Sequence, residues 1–361
     1  MTTIQSDSPR PTLAPAPIRA LRALLDIIRQ LASRPLSLIG LVIVVGFVLL
    51  AIFGPVIAPY RFDAVIRGAA RAAPSPEFIF GADRLGRDVF SRVLWGARDI
   101  ITLPLITSAL AVFFGTCIGL FIGYYGGWVD ELVSRILDSL LAIPALVLAL
   151  VMLGTIGPSQ IGIVIVIVVL YTPIVARVVR SATLNIRTYG FIEAAKLRGE
   201  STLYIMFREI LPGVMPALAV EGALRFSYAI FLTASLGFLG LGVQPPSPDW
   251  GRMVNEARDS FLQTPWALWA PAAAIALLII GVNLLSDGLR RIFRYEGQIR
   301  MSIYFEWQTP QMAVSVGARH VVPLHTTPHA TSRSFLRASI NQMLYGVFAP
   351  LPEIGEGSGV G

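Results

Sequence analysis

The sequence predicts an all-α polytopic membrane protein of six transmembrane helices. Composition gives the first reason. Of 361 residues, 55% are hydrophobic and 14% are charged, and the mean hydropathy is +0.68. Soluble domains carry about 25% charged residues, and disorder requires low hydrophobicity. The second reason is segmentation. Six apolar stretches approach the length that spans about 30 Å of hydrocarbon at about 1.5 Å per residue. The third is periodicity: no stretch alternates as a membrane barrel strand does, so helices must satisfy the backbone within lipid.

The elements follow in chain order. Residues 1–35 form a polar N-terminal segment rich in proline (Pro9, Pro11, Pro15, Pro17). Residues 18–30 within it suit a short basic amphipathic helix with Arg19, Arg22 and Arg29. The membrane-spanning body covers residues 36–294. Its first span, residues 36–58, has no charge, and Gly54-Pro55-Val56 makes a poor signal-peptide cleavage site, so a retained span is expected. The others are residues 100–124, 132–153, 160–179, 216–241 and 268–285. Before the second span, Val89, Phe90, Val93, Leu94 and Ala97 share one helical face, with Arg87, Asp88, Ser91, Arg92 and Arg98 elsewhere. That pattern suits an amphipathic helix at the outer interface, or a contact with another protein. Residues 295–361 form a tail without a span, ending in Gly/Ser-rich sequence, and a poorly ordered appendage is expected.

Arginine sets the orientation. Basic clusters lie in the N-terminal segment, in the loop between spans four and five, and after span six (Arg290, Arg291, Arg294). All three fall on one side, which the positive-inside rule makes cytoplasmic, with both termini inside. Residues 60–99 carry seven arginines on the other side; Asp63, Glu77, Asp83, Asp88 and Asp99 offset most of them. The net charge of +7 thus suits anionic lipid rather than nucleic acid.

Several functions are excluded. Lys196 is the only lysine, between Ala195 and Leu197, so there is no Gly-Lys-Ser/Thr phosphate loop. ATP-driven work must be powered by a partner. Cys117 is the only cysteine, which excludes an intrachain disulfide and a multi-cysteine metal site. All three histidines (His320, His325, His329) sit in the tail, without a nearby carboxylate or cysteine, so no metal site and no catalytic set is expected.

The loop at residues 188–212 reads FIEAAKLRGESTLYIMFREILP from Phe191 onward. Thr188 is placed to cap a short helix through Glu193, and Gly199 to end it in the left-handed region. Ser201 is placed to cap a second helix, whose Leu203, Phe207 and Ile210 share a face at α-helical spacing. A segment this long, patterned and capped suits a docking element better than the alternative, a solvated connecting loop, since connectors are usually short.

Glu193-Ala194-Ala195, then Gly199, then Ile210-Leu211-Pro212 resembles the EAA loop of bacterial ABC importer permeases. Four further blocks, in order, resemble the C-type permease of dipeptide and oligopeptide importers: Gly81-Ala82-Asp83-Arg84-Leu85-Gly86-Arg87-Asp88, Arg135 to Pro144, Ala234 to Gly242, and Asp249-Trp250-Gly251 through Arg290. The resemblance implies a type I ABC importer permease fold and a non-catalytic subunit forming half of a pore. It implies coupling through Glu193, Ala194, Ala195, Gly199, Ile210, Leu211 and Pro212, with Ala194 and Ala195 packed on the ATPase. It implies a B-type permease partner, one or two ABC ATPase subunits holding ATP and Mg, an extracytoplasmic binding protein, and the bacterial inner membrane. This chain itself would bind no cofactor. The family also includes nickel and glutathione importers. A secondary transporter driven by an ion gradient is the rival from another class; it leaves the EAA loop unexplained and lacks its usual internal repeat.

Span five departs from the family. Glu221, Arg225 and Thr233 stand where Gln, Gly and Glu are common, and ionisable residues inside spans are functional hypotheses by default. Glu221 and Arg225 are four residues apart and can meet. Either they line the pore with Thr233, or the pair neutralises itself as a structural element. Arg135 and Asp138 suit an interfacial anchor, and Asn283 and Asp287 suit bonds to neighbouring helices.

Overall fold

A computed structural model describes the backbone of residues 25–312 and the side chains of residues 25–292. The chain divides into two compact units, Met1–Arg300 and Met301–Gly361. Within the second, residues 301–312 are helical; the three tail histidines lie outside the described residues, as do residues 1–24. Among the described residues the regular structure is helical, with one isolated antiparallel bridge between Ala82 and Asp88.

Residues 25–32 are helical. The first span is α1, Pro35–Ile57. A loop then leads to α2, Val89–Tyr125. The region read as a separate interfacial helix is therefore the first turns of a 37-residue helix. Asp88 starts it by accepting from the Ser91 amide at 2.8 Å. Most of its polar side is enclosed by protein: Asp88, Ser91 and Arg92 are buried, Arg87 is half-buried, and Arg98 is exposed.

The third expected span is broken. α3, Gly127–Leu141, and α4, Ala145–Ile156, meet at 87°. Pro144 has no N–H to continue the ladder and pushes Ile143 out of the helical region. Five helices are long and apolar enough to cross a membrane, or six if the bent pair is one span. α5 is Gln160–Ile186. α6, Gly190–Leu197, is the short helix of the 188–212 loop. α7, Thr202–Phe238, follows it. α8 is Trp250–Arg258. α9, Pro265–Met312, is one continuous helix, so residue 294 is not a helix end.

Small residues draw the central helices together. Gly115, Gly119 and Gly123 repeat at four-residue spacing along α2. A Cβ on Gly119 would lie 2.5 Å from the Ala176 carbonyl oxygen, and one on Gly115 would lie 2.5 Å from the Val175 Cβ. These approaches are the close backbone packing that small residues permit between membrane helices. Gly40 on α1 meets the Gly281 carbonyl on α9 in the same way. Three buried clusters then fill the bundle. One joins α1, α2, α7, α8 and α9 around Trp250, and one joins α2, α4, α5 and α7. The third seats the 188–212 loop. Ser227 Oγ donates to Asn283 Oδ1 at 2.8 Å, linking α7 to α9.

Candidate functional site

The loop at 188–212 is built around the left-handed turn at Gly199, φ +77°. The Glu200 amide donates to Ala195 O at 3.2 Å and the Gly199 amide to Lys196 O at 3.0 Å. These two bonds are a Schellman closure, which needs a residue without a Cβ penalty at that position. Thr188 does not cap α6. Its hydroxyl donates back to Asn185 O at 2.8 Å, and α6 starts after Tyr189 with no side-chain cap. Ser201 does cap α7, accepting from the Tyr204 amide at 3.3 Å.

The expected stripe of Leu203, Phe207 and Ile210 is not one face. Residues Ile205–Ile210 wind as a π-helical turn, whose wider i→i+5 pitch changes which side chains align. Ile205, Met206 and Ile210 turn inward, while Leu203 and Phe207 are exposed. Ile192 and Ala195 are likewise fully buried, packed with Ile205, Ile210, Val214 and Leu120. Ala195 thus seats α6 on its own chain and presents no surface to a partner. Glu193 and Ala194 are exposed, as is Pro212, while Leu211 is half-buried. The outward surface is Tyr189, Phe191, Leu197, Leu203, Tyr204 and Phe207. Four of those six were not singled out from sequence; Leu197, 89% exposed, precedes the turn with no apolar neighbour in register to mark it.

Charged contacts brace this seat. Arg198 reaches Glu200 at 3.6 Å and Glu209 at 3.5 Å across the turn. Arg187 Nη1 donates to Gly123 O at 3.0 Å, satisfying a carbonyl at the C-terminus of α2. Lys196 Nζ lies 5.6 Å from the Tyr124 ring centre. Arg180 Nη2 donates to Asp130 Oδ2 at 2.7 Å, and Arg177 pairs with Asp138, so α3 is tied to α5. Arg135 pairs within α3, to Glu131 at 2.6 Å.

In α7, Glu221 and Arg225 do meet. Arg225 Nε lies 2.8 Å from Glu221 Oε1, and both residues are buried. The separation suits a hydrogen bond, but the N–H is misdirected and neither atom has an aligned partner. The Arg225 guanidinium carbon sits 5.4 Å from the Tyr171 ring centre and 4.8 Å from that of Tyr228. Tyr171 is held there by donating its hydroxyl proton to Tyr228 O at 2.9 Å. Glu221 borders an open cavity of about 350 Å³ with Arg290 and Val220. Thr233 is 1% exposed and enclosed by its own chain, so it lines no open surface.

At the far end of the bundle a second charged centre joins distant segments. Arg92 donates to Asp83 Oδ2 at 2.7 Å and to Glu256 Oε2 at 3.1 Å. Arg87 reaches the same two oxygens, each at 2.7 Å. Burial alone would raise the Glu256 carboxyl, but the Arg92 and Arg87 guanidiniums hold it below the usual glutamate range. Asp249 caps α8 through the Arg252 amide at 2.8 Å. Burial pushes its carboxyl up to about 6. Among the described residues no group of three or more His, Cys, Asp or Glu comes together to hold a metal ion.

Comparison with known proteins follows the same outline. The family model for the binding-protein-dependent transport system inner membrane component matches residues 115–294. That for the N-terminal TM domain of oligopeptide transport permease C matches residues 24–74. The chain is 39% identical to the dipeptide transport system permease protein DppC of Alkalihalophilus pseudofirmus, over 73% of this chain and 86% of that protein. It is 37% identical to the probable D,D-dipeptide transport system permease protein DdpC of Escherichia coli K12, over 72% and 88%. It is 40% identical to the glutathione transport system permease protein GsiD of Pectobacterium atrosepticum, over 60% and 72%. Among solved structures, an inward-facing MetNI methionine ABC transporter chain is 21% identical with a TM-score of 0.46, covering 56% of this chain and 95% of that one. With both family models matched in order and relatives covered over most of their length, the chain belongs to the inner-membrane permease components of binding-protein-dependent ABC importers, in the oligopeptide permease C branch.

Proposed function

We infer that this chain is one half of a heterodimeric pore importing dipeptides or oligopeptides. A B-type permease forms the other half, an extracytoplasmic binding protein delivers substrate, and one or two ATPase subunits supply ATP and Mg. The observation that carries the reading is the two-faced build of the 188–212 loop. Its inner face is locked into α2, α5 and α7 by Ile192, Ala195, Ile205 and Ile210. Its outer face presents exposed apolar and aromatic side chains beside Glu193. An exposed apolar patch on a rigid seat suits a protein partner. A force applied to Leu197 or Phe191 reaches the pore helices without loss in a flexible linker. Both termini face the cytoplasm in this reading, and Glu193, Gly199 and Pro212 belong to the lever. ATP-driven closure of the ATPases biases a two-state pore between inward and outward access.

Reconstitution tests it. The chain is co-expressed with the neighbouring permease, ATPase and binding-protein genes and placed in proteoliposomes. Uptake of a labelled dipeptide that requires ATP and the binding protein supports the reading. Uptake driven by an ion gradient without any ATPase subunit refutes it. Glutathione is a second substrate reading, favoured by the relatives that bear that name; competition by glutathione in the same vesicles decides between the two.

A further inference from the structure

We propose that Glu221 and Arg290 form a subsite in the translocation path for the two charged ends of a short, zwitterionic peptide. The inference rests on the peptide-importer reading and adds which residues of this chain the peptide meets. Three observations converge. The cavity of about 350 Å³ between α5, α7 and α9 is walled by Val178, Pro216, Ala217, Val220 and Leu224, with Glu221 and Arg290 as its charged members. Its size falls in the range of small-molecule sites, about 300–1,000 Å³. An apolar wall carrying one carboxylate and one guanidinium complements a molecule with an ammonium, an apolar middle and a carboxylate. Binding of the carboxylate end by a guanidinium has the planar, two-pronged geometry that arginine provides.

The second observation is that Glu221 is held loosely. It lies within ion-pair distance of Arg225, yet both facing atoms lack an aligned hydrogen-bond partner. A buried carboxylate left with unused capacity is in reach of a better donor, and a peptide ammonium is one.

The third observation explains how Arg225 survives losing its partner. Its guanidinium lies against two tyrosine faces, Tyr171 and Tyr228. Cation–π contact of that kind stabilises a desolvated arginine, so Glu221 can turn to substrate without stranding a bare charge. Arg225 is here a positioning residue, holding Glu221 at the cavity wall between transport cycles. Glu221 lies 10 residues beyond Leu211 along α7, about 15 Å at about 1.5 Å per residue. The subsite is therefore at the same end of the bundle as the 188–212 loop, the cytoplasmic end in this reading, where a peptide would rest before release.

The test uses the whole importer complex in lipid nanodiscs without its binding protein. Binding of L-alanyl-L-alanine is read by saturation-transfer NMR, beside its N-acetyl and C-amide forms. Wild type should favour the free dipeptide over either blocked form by about tenfold, the scale of a charge-assisted hydrogen bond. E221Q should lose the discrimination against the N-acetyl form only, and R290Q that against the amide only. E221D should restore the first, which a general folding defect in E221Q would not allow. Equal binding of all three probes to wild type, no binding at all, or discrimination that survives both substitutions overturns the proposal. If the complete importer still carries dipeptides in those cases, the peptide-importer reading stands and the subsite alone falls. If it carries none, both fall.

Discussion

Replacing Gly199 by valine isolates the turn from everything it touches. Gly199 has φ +77°, and no atom lies within 4 Å of a Cβ built there. The cost within the chain is therefore backbone strain alone. Left-handed geometry costs an L-residue about 1–2 kcal/mol, and a stiffer unfolded chain returns about 0.4–1 kcal/mol. The net for alanine is about 1 kcal/mol, or about a fivefold loss in the population of the closed turn at 1.4 kcal/mol per decade. Valine, β-branched, is worse, and asparagine, which enters this region readily, is milder. Uptake per ATP hydrolysed, in proteoliposomes, should fall in the order Gly, Asn, Ala, Val. An order that follows side-chain size instead, with asparagine as harmful as valine, would show that a partner contact and not the turn is at stake. Wild-type coupling in Gly199→Val refutes the reasoning outright.

Other outcomes follow from the packing and the charged centres. Gly119→Ala forces a Cβ to within 2.5 Å of a backbone oxygen and should cost about 1–3 kcal/mol in thermal unfolding of the detergent-solubilised protein; Gly154→Ala, with open space around it, should be neutral or better. Arg92→Gln removes a buried partner from Asp83 and Glu256 and should cost about 3–5 kcal/mol, whereas Arg61→Gln, at an exposed pair, should be nearly silent in the same melt. The Asp249 carboxyl is raised in the folded protein to about 6, so the unfolded state ionises first and this group's contribution to stability falls as pH rises from about 4 to 6. Asp249→Asn keeps a capping oxygen and should flatten that limb in melting temperature plotted against pH; an unchanged slope would remove Asp249 as its source.

Much of the span pattern was legible because a lipid-crossing helix needs only length and apolarity, which residues 36–58 or 160–179 state openly. The break after Leu141 was written in Ile143-Pro144 and lay hidden inside a continuous apolar run. The Gly115, Gly119, Gly123 repeat was equally open to view, and it marks where α2 meets α5. The polar face of Asp88, Ser91 and Arg92 was misread as interfacial because its counterpart, Glu256, is 164 residues from Arg92, and amphipathicity does not reveal what covers a polar face. In the 188–212 loop, Gly199 and Ser201 spoke for themselves through local backbone rules. The inward turn of Ile210 did not, because the π-helical turn shifts the register that α-periodicity assumes; that of Ala195 did not, because the residues in its cluster, such as Leu120, Val175 and Val214, lie on other helices.

Cysteine crosslinking in the assembled importer reads whether the outward face of the 188–212 loop meets an ATPase. Leu197→Cys, on the outward face of the loop, is compared with Leu262→Cys, 95% exposed and placed between α8 and α9, beyond the far end of α7. Leu197→Cys should crosslink to an ATPase subunit, with a yield that changes when ATP is bound, and Leu262→Cys should give none. An ATPase adduct from position 262, or a position 197 that reacts only with a water-soluble reagent from the outer face, would contradict this.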